Sequence, residues 1–147
     1  MMNCWIALEK KAKALRDQAS DALKIVRDQY QEQQSLLTRT QELAEQYQRK
    51  LAVLQTQPAH FGDVQLYRTS LKQLQHGMFQ IQQEITRLEQ EVTIRQRELK
   101  RTEIERQKFE KLIERDRDLD RAREELKETR ALDEMNVQMH FRKQNLA

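Results

Sequence analysis

The chain has 147 residues, of which 35% are charged and only 5% aromatic, and 27 basic and 24 acidic side chains give a formal net charge of +3. Two glycines and one proline leave few turn-forming residues for a globular domain of this size. Helix-forming Leu, Gln, Glu, Lys and Arg are abundant instead, which is typical of a coiled coil. Such a rod has no room for the desolvated cleft that catalysis needs.

The N-terminal residues 1–8 are apolar but lack a basic n-region, so we expect no secretory signal. No run approaches about 18 consecutive apolar residues, so we expect a soluble, cytoplasmic protein that does not insert into a membrane. Cys4 is the only cysteine, which excludes a disulfide within the chain. The cluster at residues 4–6 either packs against Leu112, Ile113 and Leu119 at the open end of the hairpin or faces a partner, and the sequence leaves both alternatives open.

The first predicted helix spans residues from about 5 to 56. Its apolar residues recur at alternating spacings of three and four, the pattern of a coiled-coil seam. The seam positions in this phase are Leu8, Ala12, Leu15, Ala19, Ala22, Val26, Tyr30, Gln33, Leu37, Thr40, Ala44, Tyr47, Leu51 and Leu54. Two spacings of four adjoin at Val26, which predicts a stutter that locally unwinds the supercoil.

A turn is predicted at residues 57–63, which include Pro58 and Gly62. Proline interrupts a helix because it lacks a backbone N–H and clashes with the preceding turn. We expect Phe61 to cap this turn.

The second predicted helix spans residues from about 64 to 144, and its seam alternates without a break as far as Ile113. The seam positions are Val64, Tyr67, Leu71, Leu74, Met78, Ile81, Ile85, Leu88, Val92, Arg95, Leu99, Thr102, Arg106, Phe109 and Ile113. Beyond Ile113, the next positions in phase are Asp116 and Asp120, so the apolar pattern fails there.

Antiparallel folding about the turn places residue 54 near residue 66 and residue 8 near residue 112. The first helix therefore runs out where the seam of the second one fails. We predict an all-α fold in which two long helices form an antiparallel coiled-coil hairpin, with the second helix overhanging at the C-terminus. Residues 1–147 are expected to form a single domain.

The overhang is highly charged, with eight acids and seven bases in residues 110–130. Many of its like charges lie four residues apart; one acidic row consists of Asp116, Asp120, Glu124 and Glu128. Like charges at this spacing weaken an isolated helix. We therefore predict that the overhang frays when free and becomes ordered against a charged partner.

No motif indicates catalytic residues, a cofactor or a metal ion, and there is no Gly-rich phosphate loop, paired-cysteine spacing or nucleophile elbow. His60, His76 and His140 are too scattered to share a metal ion without a partner chain. Residues 95–108 hold six bases but also three acids, and they lie within the heptads, unlike the basic region of a zipper. We therefore expect a non-enzymatic protein that does not bind nucleic acid.

Three stretches resemble the FliJ family of the flagellar type III export apparatus. They are Tyr67–Leu74 with Gly77-Met78, Phe109–Arg115, and Arg130–Met135, which contains Leu132-Asp133-Glu134. The chain departs from the family pattern at Ser70, Gly77 and Asn136, where Phe, Ala and Ala are common.

The resemblance implies a stalk and adaptor that promotes assembly and hydrolysis by the hexameric flagellar export ATPase. The paired termini, about residues 1–25 and 95–147, would enter the pore of this ATPase. The implied ATPase-binding residues are Leu112, Ile113, Arg117, Arg121, Arg123, Leu126, Leu132, Asp133, Glu134 and Met135.

The resemblance also implies contacts with the export-gate membrane protein and with export chaperones. The implied gate-binding residues are Tyr67, Leu71, Leu74 and Met78. The implied location is cytoplasmic, peripheral to the inner membrane at the export apparatus.

Two alternatives remain: the equivalent stalk of a virulence type III secretion system, and a generic self-associating coiled-coil scaffold. Gln33, Thr40, Arg95 and Arg106 on the seams disfavour burial between identical chains, so we expect a monomer when the protein is free.

Overall fold

The computed structural model describes residues 2–56 and 61–146, and the two elements that these residues form are both helices. Helix α1 spans Met2–Thr56 and helix α2 spans Phe61–Asn145. Pro58 and His60 lie outside the described residues. Helix α2 begins three residues before the expected start, and Phe61 is 75% exposed. The role of Phe61 as a cap of the turn involves residues outside the described ranges and stays a prediction.

The chain divides into two compact units. The hairpin unit is Asp17–Lys100, and the terminal unit comprises the segments before Asp17 and after Lys100. In each unit a part of α1 packs antiparallel against a part of α2, which confirms the predicted all-α hairpin of two long helices. The expectation of a single domain over residues 1–147 stays a prediction.

The core of the hairpin unit is a narrow seam between the two helices. Leu23, Val26 and Ala44 of α1 are buried, as are Ile85 and Leu88 of α2. The other predicted α2 seam positions in this unit are half-buried. Heptad periodicity places all of these side chains on the facing sides of the helices, so that each layer excludes water.

Two side-chain contacts define the register of the hairpin unit. The ring centroids of Tyr47 and Tyr67 are 5.5 Å apart, edge to face. The Tyr30 hydroxyl donates a hydrogen bond to Glu89 Oε1 at 3.2 Å. The predicted register pairs residue 30 with about residue 90 and residue 47 with about residue 73. The contact of Tyr30 lies one residue from this register, and the contact of Tyr47 lies six residues from it.

The seam of α1 differs from the predicted one before Val26. Leu23 is buried, while Leu8 and Leu15 are 36% and 44% exposed. The inward-facing positions in this stretch of α1 are Trp5, Glu9, Ala12, Arg16, Ala19, Ala22, Leu23 and Val26. Ala22 and Leu23 both face inward between Ala19 and Val26, and the stutter predicted at this point stays a prediction. Of the polar side chains in this stretch, Arg16 contacts a carboxylate of α2, that of Glu103.

The seam of α2 follows the prediction as far as Ile113, which is buried. Asp116 is half-buried, and every residue from 117 to 146 is exposed. Helix α2 nevertheless continues to Asn145. The predicted overhang is therefore present, and it begins where the seam ends.

Gly77 lies inside α2 without a positive φ, and a Cβ at this position would meet no atom within 4 Å. Neither backbone conformation nor space requires glycine here. Glycine in a helix interior costs about 1 kcal/mol relative to alanine. Glycine at this position is therefore tolerated, and the fold does not require it.

The seam predicts a large effect of truncating Leu88, which is only 2% exposed. We expect Leu88→Ala to lower the free energy of unfolding by about 2–4 kcal/mol, through lost burial and a cavity. Urea unfolding followed by far-UV circular dichroism measures the change. The matched control is Leu132→Ala on the exposed overhang, which we expect to change stability by less than about 0.5 kcal/mol. Equal effects of the two substitutions would contradict this seam.

The overhang is expected to open readily, because residues 117–146 have no packed partner in the structure. One ion pair is present in this stretch, between Arg121 Nη1 and Asp118 Oδ1 at 4.0 Å. A helix held mainly by its own backbone hydrogen bonds opens more often than one packed in a seam. Hydrogen–deuterium exchange should therefore be much faster at residues 118–140 than at residues 81–92. Strong protection of the overhang in the isolated protein would refute this expectation.

Candidate partner-binding surfaces

The overhang exposes two apolar stripes on opposite sides of one helix. Successive residues are about 100° apart around an α-helix, so the faces can be read from residue numbers. The first stripe consists of Leu119, Leu126, Val137 and Phe141, and the second of Leu132, Met135 and Met139. All seven residues are about half exposed or more. Exposed apolar stripes of this kind mark interaction surfaces, so the overhang is the first candidate site.

The predicted ATPase-binding residues divide between the seam and both faces of the overhang. Leu112 is half-buried and Ile113 is buried, because both adjoin the contact with α1. The remaining residues are exposed. Those on the side of the first stripe are Arg123, Leu126, Asp133 and Glu134, and those on the side of the second stripe are Arg117, Arg121, Leu132 and Met135. The structure therefore does not bring the set together on one face.

An ionic cluster joins α1 to α2 in the terminal unit. Arg16 Nη1 lies 3.5 Å from Glu103 Oε2. Arg106 Nη2 donates a hydrogen bond to Glu103 Oε1 at 2.7 Å, and Arg106 Nη1 lies 3.4 Å from Glu110 Oε2. Glu103 is thus held between two guanidinium groups, one from each helix. We call Arg16, Glu103, Arg106 and Glu110 the terminal ionic cluster.

Hydrogen bonds and neighbouring charges shift the pKa values of Glu103 and Arg106 in this cluster. The hydrogen bond from Arg106 lowers the pKa of Glu103, and the charges of Arg106 and Arg16 lower it further. The hydrogen bond to Glu103 raises the pKa of Arg106. Sequence reasoning noted Arg106 only as a poor seam residue and missed Arg16 and Glu103. The three-residue spacing from Glu103 to Arg106 was a usable signal, whereas the Arg16 contact requires the antiparallel register.

The contacts of Trp5 decide whether the apolar cluster at residues 4–6 packs against α2 or faces outward, which the sequence left open. The ring centroid of Trp5 lies 6.3 Å from that of Phe109 on α2, and Trp5 is half-buried. Cys4 is exposed, and Ile6 is 38% exposed. The cluster at residues 4–6 is therefore divided, with Trp5 packed against Phe109 of α2 within the terminal unit and its two neighbours facing outward.

The predicted gate-binding residues all lie in the seam of the hairpin unit. Tyr67, Leu71, Leu74 and Met78 are half-buried. Tyr67 packs on Tyr47, and the Lys50 ammonium lies 5.9 Å from its ring centroid. These side chains can reach a partner only along their outer edges.

More exposed apolar residues lie close to those four, and sequence reasoning missed them because they are out of phase with the seam. They are Val53, Leu66 and Phe79, each exposed by more than half. Val53 and Leu66 line a shallow groove whose other walls include Arg49, Lys50 and Asp63. This groove is the second candidate site.

A longer groove follows the other side of the hairpin unit, beside Leu23, Val92 and Leu99. On its rim, the Tyr30 hydroxyl accepts a hydrogen bond from Gln34 Nε2 at 2.8 Å and donates one to Glu89. Burial and the bond to Glu89 raise the pKa of Tyr30. The groove is open and carries no arrangement of nucleophile and base.

Two searches of the described part of the chain were negative. Residues 2–56 and 61–146 contain no group of three or more His, Cys, Asp or Glu side chains placed to hold a metal ion. No helix in these ranges is long and apolar enough to cross a membrane.

The terminal ionic cluster predicts a specific effect of pH on stability. The pKa of Glu103 is lowered from its ordinary value of 4.5, so its ionised form is favoured by folding. This contribution is complete above the unfolded pKa and is lost as pH falls through the lower, folded pKa. We expect Glu103→Gln to lower the Tm at pH 7, with a difference from wild type that shrinks below about pH 4.5.

Thermal unfolding at several pH values, followed by circular dichroism, makes this measurement. The matched control is Glu105→Gln, which neutralises an exposed carboxylate two residues away. A Tm difference for Glu103→Gln that does not shrink at all as the pH falls below about 4.5 would argue against the assigned role of this carboxylate.

Comparison with known proteins places the chain in a family. Residues 6–145 match the family model described as Flagellar FliJ protein. No curated protein and no solved structure matches the chain. The family match covers nearly the whole length, including both helices of the hairpin and the overhang. The chain therefore belongs to the FliJ family, whose members are structural and generally non-enzymatic components of the flagellar export apparatus.

Proposed function

We propose that this protein is a stalk and adaptor of the flagellar type III export apparatus. In this proposal its paired termini enter the central opening of the hexameric export ATPase and promote ATPase assembly and hydrolysis. The observation that carries the proposal is the exposed overhang of α2, a single helix with two opposite apolar stripes. One groove on a partner covers only one side of a helix, whereas a ring of subunits contacts it from several directions.

The dimensions and charge of the overhang support this role. A single α-helix with its side chains is about 10–12 Å across, so it suits a narrow opening. Residues 110–130 carry eight acids and seven bases, and the acids are absent from the side that holds Leu119 and Leu126. Different subunits of a ring therefore meet different combinations of charge and apolar surface, which makes the contacts asymmetric.

The terminal ionic cluster supports the shaft by holding α1 to α2 immediately before the overhang. Arg16 comes from α1, and its partner Glu103 comes from α2. Trp5 adds an aromatic contact to Phe109. A displacement applied to the overhang is thereby resisted by both helices of the terminal unit.

The proposed effect on hydrolysis is an effect on assembly. A ligand that binds the assembled ring better than separate subunits shifts the equilibrium toward the ring by mass action. Hydrolysis then rises because more of the ATPase is in its active, assembled form. In this mechanism, the protein supplies binding free energy and contributes no group to the reacting phosphate.

The adaptor part of the proposal concerns the hairpin unit. We propose that the surface around Tyr67, Leu71, Leu74 and Met78 contacts the export-gate membrane protein, with exposed Leu66 and Phe79 adding apolar area. Export chaperones are the third class of partner. The proposed location is the cytoplasm, peripheral to the inner membrane at the export apparatus, where one molecule can reach both ATPase and gate.

Steady-state hydrolysis by the cognate export ATPase tests the stalk role. We expect the full chain to raise the rate at ATPase concentrations below those needed for spontaneous assembly. We expect a truncation after Asp116 to lose most of this stimulation, because it removes the exposed overhang and keeps the buried seam residues. Circular dichroism of the truncated protein checks that the hairpin persists.

The matched control for this experiment is Phe79→Ser, which changes an exposed apolar side chain of the hairpin unit. We expect it to leave stimulation unchanged. Equal stimulation by the full chain and the truncation would count against the overhang as the working end. Unchanged hydrolysis with either form, together with stable self-association, would favour a generic scaffold.

A further inference from the structure

One face of the overhang has a leucine at every seventh residue. Leu112, Leu119 and Leu126 share this spacing, which is the repeat of a coiled-coil core position. Their phase lies one residue before that of Ile113, the last buried position of the hairpin seam. A second heptad pattern therefore starts on α2 beside the first one and runs out along the overhang.

This second pattern has no occupant within the described residues. Leu119 and Leu126 are 47% and 53% exposed. Leu112 is half-buried at the edge of the contact between α1 and α2. The leucine row is thus continuous with the established interface at one end and uncovered at the other.

Basic side chains alternate with these leucines. Lys108 and Arg115 precede Leu112 and Leu119 by four residues, and Arg123 and Arg130 follow Leu119 and Leu126 by four. Residues four apart are neighbours on a helix surface. The seven side chains fall within about 80° of the helix circumference, and we call them the leucine–arginine face.

The acids of residues 110–130 lie outside this face. Counted at about 100° per residue, all eight fall beyond its 80° arc. Within the described chain, none of Lys108, Arg115, Arg123 and Arg130 has a carboxylate at ion-pair distance. Arg121, on the opposite side, does pair with Asp118. The leucine–arginine face therefore combines an apolar row with four bases, none of which forms an ion pair within the described chain, while Glu105 lies near its N-terminal end and Asp133 and Glu134 near its C-terminal end.

We propose that the leucine–arginine face binds an acidic amphipathic helix of a partner protein. The leucines of such a helix would pack between Leu112, Leu119 and Leu126, and its flanking carboxylates would pair with the four bases. Paired helices in coiled coils commonly recognise each other through leucines at heptad spacing and through complementary charges beside them. This inference rests on the proposed function in one respect, namely that the overhang is the part of the protein that binds a partner. It adds the chemistry of that partner, an acidic amphipathic helix.

An anionic lipid surface fits this face less well. Helices that lie on membranes have a broad apolar side with bulky or aromatic residues. The apolar part of the leucine–arginine face is narrow, because three leucines share its arc of about 80° with four bases. A nucleic acid would use the bases but leave the leucine row without a role. The regular spacing of the leucines therefore favours a helix as the occupant.

A binding experiment with designed peptides tests the proposal. The probe is a fluorescent three-heptad peptide of about 21 residues with leucine at the core positions and glutamate at the flanking ones. The matched probe has lysine in place of each glutamate. Fluorescence anisotropy with the full chain should show binding of the glutamate peptide, weakening with added salt, and no binding of the lysine peptide.

Two double variants with the same change in net charge locate the site. Arg115→Glu with Arg123→Glu reverses two bases of the leucine–arginine face, and Arg117→Glu with Arg121→Glu reverses two on the other side. We expect the first variant to bind the glutamate peptide at least about tenfold more weakly, and the second to stay within about twofold of wild type. All four positions are exposed, and circular dichroism checks helix content.

Several results would overturn the proposal. One is absence of glutamate-peptide binding up to about 1 mM, the weak end of the affinity scale. Another is equal loss of binding in both double variants, which would indicate diffuse charge attraction. Binding to phosphatidylglycerol vesicles or duplex DNA without peptide binding would assign the face to those ligands instead. Because no ATPase is present, these results leave the truncation test of the stalk role unaffected.

Discussion

The arrangement of the molecule depends on one constraint: each layer of the seam needs a side chain from both helices. Helix α1 has 55 residues and α2 has 85, so antiparallel pairing leaves the end of α2 without a partner. The buried positions stop at Ile113, and the exposed stretch starts at residue 117. The same shortage of partner residues that limits the core also creates the surface on which the proposed function rests.

Polar residues in the seam give the hairpin its specificity. Buried leucines tolerate sliding by a heptad, because every layer offers a similar apolar environment. Arg16 and Glu103 do not, since a slip of seven residues would separate the guanidinium from the carboxylate that it contacts at 3.5 Å. The bond from Tyr30 to Glu89 acts in the same way in the hairpin unit. The seam thus gives up some burial at these layers in return for a single register.

The sequence predicted most of the fold and less of the surface. Periodicity located the α2 seam correctly through Ile113, because strong apolar residues leave one consistent phase. It misplaced part of the seam at the start of α1, where it predicted Leu8 and Leu15 and the structure instead turns Trp5, Arg16 and Leu23 inward. The correct choice depended on Glu103, which is distant in sequence and close only after folding. The ATPase-binding set was chosen by family resemblance, which carries no information about helix face, so its members lie on both sides of the overhang.

The leucine row starts at Leu112, one residue before the last buried seam position, Ile113. The number of residues at this junction therefore determines the direction in which the leucine row faces. Adding or removing a single residue after Ile113 turns everything beyond it by about 100°, although both helices stay intact. Seven residues restore the original direction to within about 20°. Insertions or deletions at this junction therefore preserve the direction of the binding face only when they comprise whole heptads. The number of residues after Ile113 thus sets the direction in which the overhang presents its face to a partner.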